Sequence, residues 1–250
     1  MIWLAAAFFL TALLYAAVGF GGGSTYSALL ALSGIDYRVL PLISLACNIV
    51  VVTGSTIRFA RAGVTPWRGA ILLTGLAAPA AFLGGLTPIN QAAFLLLLGA
   101  SLVLTGVTLL VPFRNREAED APEGAGWGAK AMPFAAVPLG YLAGLVGIGG
   151  GIFLAPLLHL VRWRNARSIA ATASLFILVN SLFGLAGQLL KGGPERFAAA
   201  VSFGLPMLIA VAIGGQIGSL LAVRFLPVSW IRWLTAALTI WVGGRLLTGT

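Results

Sequence analysis

The chain is poor in charge, and above all in acidic residues. Of its 250 residues, 60% are hydrophobic and only 8% are charged, whereas a soluble domain carries about 25% charged residues. The six carboxylates all lie in loops or at the ends of apolar runs: Asp36, Glu117, Glu119, Asp120, Glu123 and Glu195. These features predict a polytopic membrane protein without an acidic proton relay inside the membrane. A P-loop motif is also missing, which excludes built-in ATP hydrolysis of that kind.

Cysteine and histidine are almost absent as well. The single cysteine, Cys47, excludes an internal disulfide, a CxxC motif and a Cys/His zinc arrangement. With one histidine, His159, and so few acids, the sequence offers no cluster of acid, base, nucleophile or metal ligands. We therefore expect no enzymatic activity, no metal and no cofactor.

The net charge of +9 comes from basic residues that are scattered singly between apolar runs. This pattern is typical of membrane loops that face anionic lipid headgroups, and not of a nucleic-acid-binding surface. The expected partners are the lipid bilayer and a small anionic substrate, with a homo-oligomer left open and nucleic acid excluded. The apolar start of the chain lacks the basic region of a secretory signal, so we expect it to remain part of the protein.

Eight apolar runs approach the ~20 residues that cross a bilayer core. They cover approximately residues 2–32, 39–59, 67–86, 91–111, 131–161, 168–190, 197–223 and 228–247. Four of the six carboxylates lie between the fourth and fifth runs, which indicates a solvated linker. The expected organisation is a first membrane repeat at 1–112, a linker at 113–130 and a second membrane repeat at 131–250.

Two glycine clusters interrupt the first run of each half. They read GFGGGST at 19–25 and GIGGG at 147–151, at an offset of 128 residues. Because glycine costs about 1 kcal/mol per residue in a helix relative to alanine, each cluster predicts a helix break. Ser44-Leu45, Gly54 and Gly84-Gly85 recur at an offset of 130 as Ser174-Leu175, Gly184 and Gly214-Gly215. The sequence thus indicates two four-segment repeats, as secondary transporters commonly have.

Loop charges distinguish two topologies. If all eight runs cross the membrane, the basic residues divide nine to six between the two sides. If the two broken runs enter and return, the division becomes eleven to four, the bias expected between cytoplasmic and outer faces. We therefore expect an all-α integral membrane protein with seven or eight transmembrane segments. Its two repeats would be inverted, and the first segment of each would be discontinuous or re-entrant.

The breaks are the main candidates for a binding site. A broken helix exposes backbone N–H groups whose partial positive charge favours an anion. The candidate substrate-binding residues are the glycines of both breaks, nearby hydroxyls and buried amides: Gly21, Gly22, Gly23, Ser24, Thr25, Ser44, Asn48, Gly149, Gly150, Gly151, Ser174 and Asn180. The alternatives are close helix packing through the glycines and interhelical hydrogen bonds through the polar side chains. Arg38 and Arg58 lie near helix ends, where they would attract an anion to an entrance.

The glycine clusters, the Ala155-Pro156-Leu157 that follows the second one, and the stretch from Ile169 to Leu175 resemble the sulfite exporter TauE/SafE family of membrane permeases. The resemblance implies transport of small anions by alternating access across the bacterial inner membrane. The anions would be sulfur-containing, such as sulfite, sulfoacetate or related organosulfonates. The resemblance also adds Pro156 to the candidate site. In the first repeat, Ala28 occupies the position that corresponds to this proline. The alternative functions are an anion channel and a scaffold subunit that transports nothing.

Overall fold

The chain folds into helices that are long and apolar. A computed structural model describes residues 2–18, 21–110, 127–221 and 228–249, and this part of the chain contains no strand. The helices are α1 (Ile2–Val18), α2 (Gly23–Leu32), α3 (Leu40–Arg61), α4 (Trp67–Leu86), α5 (Gln91–Leu110), α6 (Trp127–Val146), α7 (Gly151–Leu160), α8 (Ala166–Leu221) and α9 (Val228–Thr248). Helices α3, α4, α5 and α8 are long and apolar enough to cross a membrane, and shorter apolar helices accompany them. The fold is therefore that of an all-α, multi-pass membrane protein.

Helix α8 consists of two arms. At Gly193 the backbone leaves the helical conformation (φ 71°, ψ 173°), a region that glycine adopts readily. Pro194 follows and begins the second arm, because a proline is tolerated in the first turn of a helix. The arms, at 166–192 and 194–221, correspond to the two separate runs that the sequence predicts there.

Helices α1 and α2 form a hairpin that opens towards the start of α3. The glycines Gly204 and Gly215 of the second α8 arm pack on Ile43 and Val51, so this arm and α3 run in the same direction. Gly214 and Gly218 of the same arm pack on Phe9 and Leu13. Helix α1 therefore also runs parallel to α3. The chain then turns back through α2, which joins α3 by a short loop.

Helices α6 and α7 form a second hairpin, which opens towards the opposite end of the bundle. Gly140 and Gly144 of α6 pack on Ala77 and Ala81, so α6 runs parallel to α4. Beyond α7 the chain returns to the start of α4, where Ser168 Oγ donates to the carbonyl of Val64 at 3.1 Å. The two hairpins therefore enter the bundle from opposite ends.

The two ends of the bundle differ in charge. We call them the Lys191 end, which holds the start of α3, the α4–α5 turn and the bend of α8, and the arginine-rich end, which holds the α3–α4 and α7–α8 loops. Basic residues at the Lys191 end are Arg38, Lys191, Arg196 and Arg245, and those at the arginine-rich end include Arg58, Arg61, Arg68, Arg162, Arg164 and Arg167. The described basic residues thus number four at the Lys191 end and six at the arginine-rich end. The remaining basic residues lie outside the described side chains.

The linker that the sequence predicts at 113–130 lies mostly outside the described part of the chain, which leaves out residues 111–126. Helix α6 begins at Trp127. The sequence-based linker rests on the four carboxylates between Glu117 and Glu123, which end before α6 begins. Asn90 caps α5, since its Oδ1 accepts the N–H of Ala93 at 2.8 Å.

Candidate functional site

The two glycine breaks meet at Asn48 of α3. A Cβ added at Gly21 would lie 2.7 Å from Asn48 Oδ1, and one added at Gly149 would lie 2.8 Å from Asn48 Nδ2. Asn48 is fully buried, and its Nδ2 donates to the carbonyl of Ile148 at 3.2 Å. This amide therefore connects a segment of the first break with a segment of the second. Gly19 and Phe20 of the first cluster lie outside the described residues.

Ile177 and Ser181 of the first α8 arm contact the same junction. The Cγ2 atom of Ile177 would lie 3.2 Å from a Cβ at Gly21 and 3.0 Å from a Cβ at Gly149, and Ser181 Oγ would lie 3.2 Å from the latter. These residues are one helical turn apart and so share a face. Neither was among the predicted site residues. Nothing in the sequence distinguishes Ile177 from other apolar residues of a membrane helix, and Ser181 stands out only as a hydroxyl within an apolar run.

The second break requires glycine for its backbone conformation. Gly147, Gly149 and Gly150 have φ angles of +82°, +83° and +74°, where an L-residue costs roughly 1–2 kcal/mol. In the first break Gly22, with φ of −90°, is the N-cap of α2. Residues other than glycine can adopt this backbone conformation, but a Cβ at Gly22 would lie 2.7 Å from Cζ of Tyr26. The first break therefore needs glycine because of crowding, and the second because of both crowding and φ.

The N-terminal ends of α2 and α7 both point into this junction. Helix α2 begins at Gly23 and α7 at Gly151, and neither has a side-chain cap. The Gly151 N–H donates to the Gly149 carbonyl at 3.0 Å, which uses one donor of α7 within the break. The partial positive charge of each helix N-terminus remains, because it arises from the aligned peptide dipoles. Two such ends at one buried place favour a negatively charged ligand.

Several buried polar atoms near the junction have no hydrogen-bond partner within the described structure. They include Asn48 Oδ1, both amide atoms of Asn180, and Ser181 Oγ. A buried polar group left unpaired costs about 1–3 kcal/mol. The amide of Asn180 and the hydroxyl of Ser181 are donors that a polar ligand would satisfy. They add side-chain donors to the backbone donors of the breaks.

Other predicted residues tie helices together around the site. Ser44 Oγ donates to the Gly23 carbonyl at 3.1 Å and accepts from Ser27 Oγ at 3.1 Å. Thr25 Oγ1 lies 3.1 Å from the hydroxyl of Tyr15, which in turn donates to Thr235. These bonds link α2 to α3, α1 and α9. For Ser44 and Thr25 the structure therefore places the hydroxyls in interhelical bonds.

The remaining predicted residues lie at or beyond the edge of the junction. Ser24 and Ser174 are buried on α2 and α8. Pro156 is half-buried inside α7, and its position is five residues after Gly151. The structure thus brings together Gly21, Gly23, Gly149 and Asn48 most closely.

Formal charge is absent from the immediate surroundings. The described carboxylates, Asp36 and Glu195, lie at the Lys191 end and are exposed. Arg58 donates to the carbonyl of Ala16 at 3.4 Å and to Ser55 Oγ at 3.2 Å, so its guanidinium satisfies the C-terminal end of α1. The described residues contain no group of His, Cys, Asp or Glu that could hold a metal. The junction can therefore bind through neutral donors and helix dipoles.

Comparison of the sequence with known proteins places the chain in a family. The model of the family described as "Sulfite exporter TauE/SafE" matches residues 4–246. A "Probable membrane transporter protein y4hK" of Sinorhizobium fredii is 34% identical over 246 residues, which cover 98% of each chain. Two proteins named "Probable membrane transporter protein MamO" are also similar. The one from Magnetospirillum gryphiswaldense is 27% identical and the one from Paramagnetospirillum magneticum 30% identical, each over 45% of this chain and 18% of the relative.

No solved structure matches the chain. The family match extends over both glycine breaks and over every helix of the structure. The relative from Sinorhizobium fredii aligns over almost its entire length, so the similarity is not confined to one hairpin. The chain therefore belongs to the sulfite exporter TauE/SafE family of membrane transporters.

Proposed function

We propose that the protein is a permease for small anions, and specifically for sulfur oxyanions such as sulfite, sulfoacetate or related organosulfonates. It would act by alternating access in the bacterial inner membrane. The observation that carries this proposal is the meeting of two uncapped helix N-termini at a buried, uncharged junction beside Asn48. The family description, which names sulfite export, supports the sulfur-containing class.

The proposal includes two inverted repeats. In this interpretation α1–α2, α3, α4 and α5 correspond to α6–α7, the two arms of α8, and α9. The opposite entry of the two hairpins supports it. Corresponding contacts support it as well, since α1 packs on Gly214 of the second α8 arm and α6 packs on Gly84 of α4. An odd number of crossings in each repeat would give this inversion.

The substrate would lie between the breaks, with its oxygens near backbone N–H groups and the donors of Asn180 and Ser181. Charge-assisted hydrogen bonds of this type are shorter and about twice as strong as neutral ones. A tetrahedral sulfonate or a pyramidal sulfite offers three oxygens to donors that converge from several helices. A cation gains nothing there, because the helix N-termini repel it.

Transport would be driven by the membrane potential and would need no acidic coupling residue. An anion leaving a cell with a negative interior gains ~2.3 kcal/mol per charge per 100 mV. The described carboxylates lie away from the junction, at the Lys191 end. This arrangement supports facilitated, outward movement of anions.

Flux into and out of proteoliposomes tests the proposal. We expect saturable sulfite flux that follows an imposed potential in the absence of a pH gradient. Flux that requires a pH gradient and ignores the potential would contradict the coupling. Non-saturable flux would indicate a channel.

Ligand binding provides an independent test. A thermal-shift screen of the purified protein should include sulfite, thiosulfate, sulfate, sulfoacetate, taurine and halides, because binding to the native state raises apparent stability. We expect stabilisation by the sulfur oxyanions. If no anion stabilises the protein and none is transported, the proposed function is wrong.

A further inference from the structure

A cavity of about 240 Å³ lies at the Lys191 end, separate from the junction at Asn48. Three cationic side chains line it: Arg38 from the loop before α3, and Lys191 and Arg196 from either side of the bend in α8. Among the described residues, no carboxylate lines it. At roughly 30 Å³ per water molecule, the cavity has room for a small oxyanion with part of its hydration shell.

Neighbouring groups hold Arg38 and Lys191 without neutralising them. Arg38 Nε donates to the hydroxyl of Tyr37 at 3.1 Å, and the guanidinium lies 5.4 Å from the centre of the Tyr37 ring. The hydrogen bond to Tyr37 raises the pKa of Arg38, which therefore stays protonated. Lys191 Nζ donates to the carbonyl of Thr87 at 3.2 Å. An ammonium has three donors, so this bond leaves donors for a ligand.

The nearby carboxylates belong to other contacts or to the surface. Asp36 Oδ1 accepts the backbone N–H of Arg38 at 2.9 Å, and Glu195 is exposed. Neither lines the cavity. Positive charge therefore dominates inside it, although this end of the protein carries fewer basic residues than the other.

The floor of the cavity connects to the second glycine break. Pro41 and Leu145 line it, and a Cβ added at Gly147 would lie 2.6 Å from Cα of Pro41. Gln188, which also lines the cavity, donates to the carbonyls of Gly144 and Leu145 at 2.9 and 3.3 Å. An anion in the cavity would thus sit against the end of α6, immediately before the break.

We propose that this cavity is a second anion site, in which Arg38, Lys191 and Arg196 bind a tetrahedral oxyanion at the entrance to the transport pathway. Arginine forms paired hydrogen bonds with such anions, and clustered positive charge raises their local concentration. The entrance role rests on the proposed permease function. Binding of the oxyanion does not. The same chemistry suits a free sulfur oxyanion and a lipid phosphate, and the two sources are separable by experiment.

The test compares Arg196→Gln and Arg38→Gln with the control Arg245→Gln. Arg245 lies at the same end, but its guanidinium is 5.7 Å from the ring centre of Trp241 on α9 and does not line the cavity. In phosphatidylcholine proteoliposomes, the KM for sulfite should rise about tenfold in each cavity variant, while Vmax stays close to that of the wild type. Arg196→Lys should raise the KM less than Arg196→Gln, because lysine keeps the charge but not the paired hydrogen bonds. Equal effects in Arg245→Gln would overturn the proposal.

A binding experiment separates this proposal from the proposed function. Calorimetric titration of sulfate into protein in phosphatidylcholine nanodiscs should give a signal that the triple variant Arg38→Gln, Lys191→Gln, Arg196→Gln loses. If no anion is transported but this signal is present, the permease function fails and the oxyanion site stands. If sulfite is transported and the cavity variants match the wild type in KM and in binding, the entrance site alone fails.

Nanodiscs with added phosphatidylglycerol identify the source of the anion. Stabilisation of the wild type by phosphatidylglycerol but not by sulfate or sulfite, lost in the triple variant, would assign the cavity to a lipid headgroup and overturn the entrance role. Variants should first be checked by size-exclusion chromatography and circular dichroism. Because Lys191 bonds to Thr87, Arg38→Gln and Arg196→Gln keep the test valid if Lys191→Gln fails to fold.

Discussion

At the scale of single residues, Asn48 is the side chain on which the two breaks depend. Its amide donates to Ile148, while its Oδ1 is buried without a partner in the described structure. Removal of the amide leaves a buried carbonyl unpaired and opens the contact between the breaks. We expect Asn48→Ala to reduce anion flux by at least about tenfold. The loss of stability should be about 1–3 kcal/mol.

Ser168→Ala is a matched control for this change. Ser168 is also buried and also donates to a backbone carbonyl of another segment, that of Val64, but it lies at the arginine-rich end. It should lose stability to a similar degree and retain flux. Proteoliposome assays and thermal unfolding measure both quantities. Comparable losses of flux in the two variants would mean that Asn48 acts only through stability.

The glycines of the second break should be less tolerant than those of the first. Gly150→Ala places an L-residue at φ of +74°, at a cost of roughly 1–2 kcal/mol. Gly21→Ala avoids this cost, and its Cβ meets the side chain of Asn48, 2.7 Å away, which can shift. The melting temperature and the anion flux should both fall further in Gly150→Ala than in Gly21→Ala. In Gly75→Ala, where nothing lies within 4 Å of the added atom, both should match the wild type.

At the scale of helices, small residues decide which helices touch. A side chain at Gly144 would collide with the carbonyl of Ala81, and one at Gly218 with the carbonyl of Leu13. These contacts join α6 to α4 and α1 to the second α8 arm. Gly144→Leu and Gly218→Leu should therefore each lower the melting temperature strongly and to a similar extent. Gly75→Leu adds the same atoms in open space and should leave it unchanged.

Cysteine accessibility tests the direction of the first hairpin. In a Cys47→Ala background, Ile2→Cys and Ile35→Cys should react with a membrane-impermeant thiol reagent from the same side of the membrane. The reason is that α1 runs parallel to α3 while α2 returns. Modification of these two positions from opposite sides would exclude the re-entrant arrangement.

The sequence predicts where most of the helices lie, but not how they contact one another. The run at 67–86 coincides with α4, because hydrophobicity and the flanking Pro66 and Thr87 mark both ends. The site was predicted only in part. Glycine clusters identify breaks, and Asn48 stands out as an amide in an apolar run. Ile177 does not, since an isoleucine in a membrane helix carries no sign of the break that it contacts. Thr25 resembles a ligand donor in sequence, and only the structure reveals its bond to Tyr15.

At the scale of the whole molecule, the charge difference between the two ends predicts its orientation. Cytoplasmic loops are enriched in lysine and arginine, so the arginine-rich end should face the cytoplasm. In intact cells Ala62→Cys, in the α3–α4 loop, should be protected from an impermeant reagent that modifies Ile35→Cys. Permeabilised membranes provide the control, because both positions should then react. Labelling of Ala62→Cys in intact cells would reverse the orientation and place the cationic cavity inside.

The two short helices that begin at the breaks also determine how an anion would sense voltage. Helices α2 and α7 each have ten residues, or roughly 15 Å at 1.5 Å per residue. They run from the centre of the bundle towards opposite ends, and their summed length matches the ~30 Å hydrocarbon core. An anion at their common origin has an electrical distance of about one half from either surface. Entry and exit would then each carry the anion through half of the field, which is worth about 1.2 kcal/mol per elementary charge per 100 mV. Voltage would accelerate both half-steps equally.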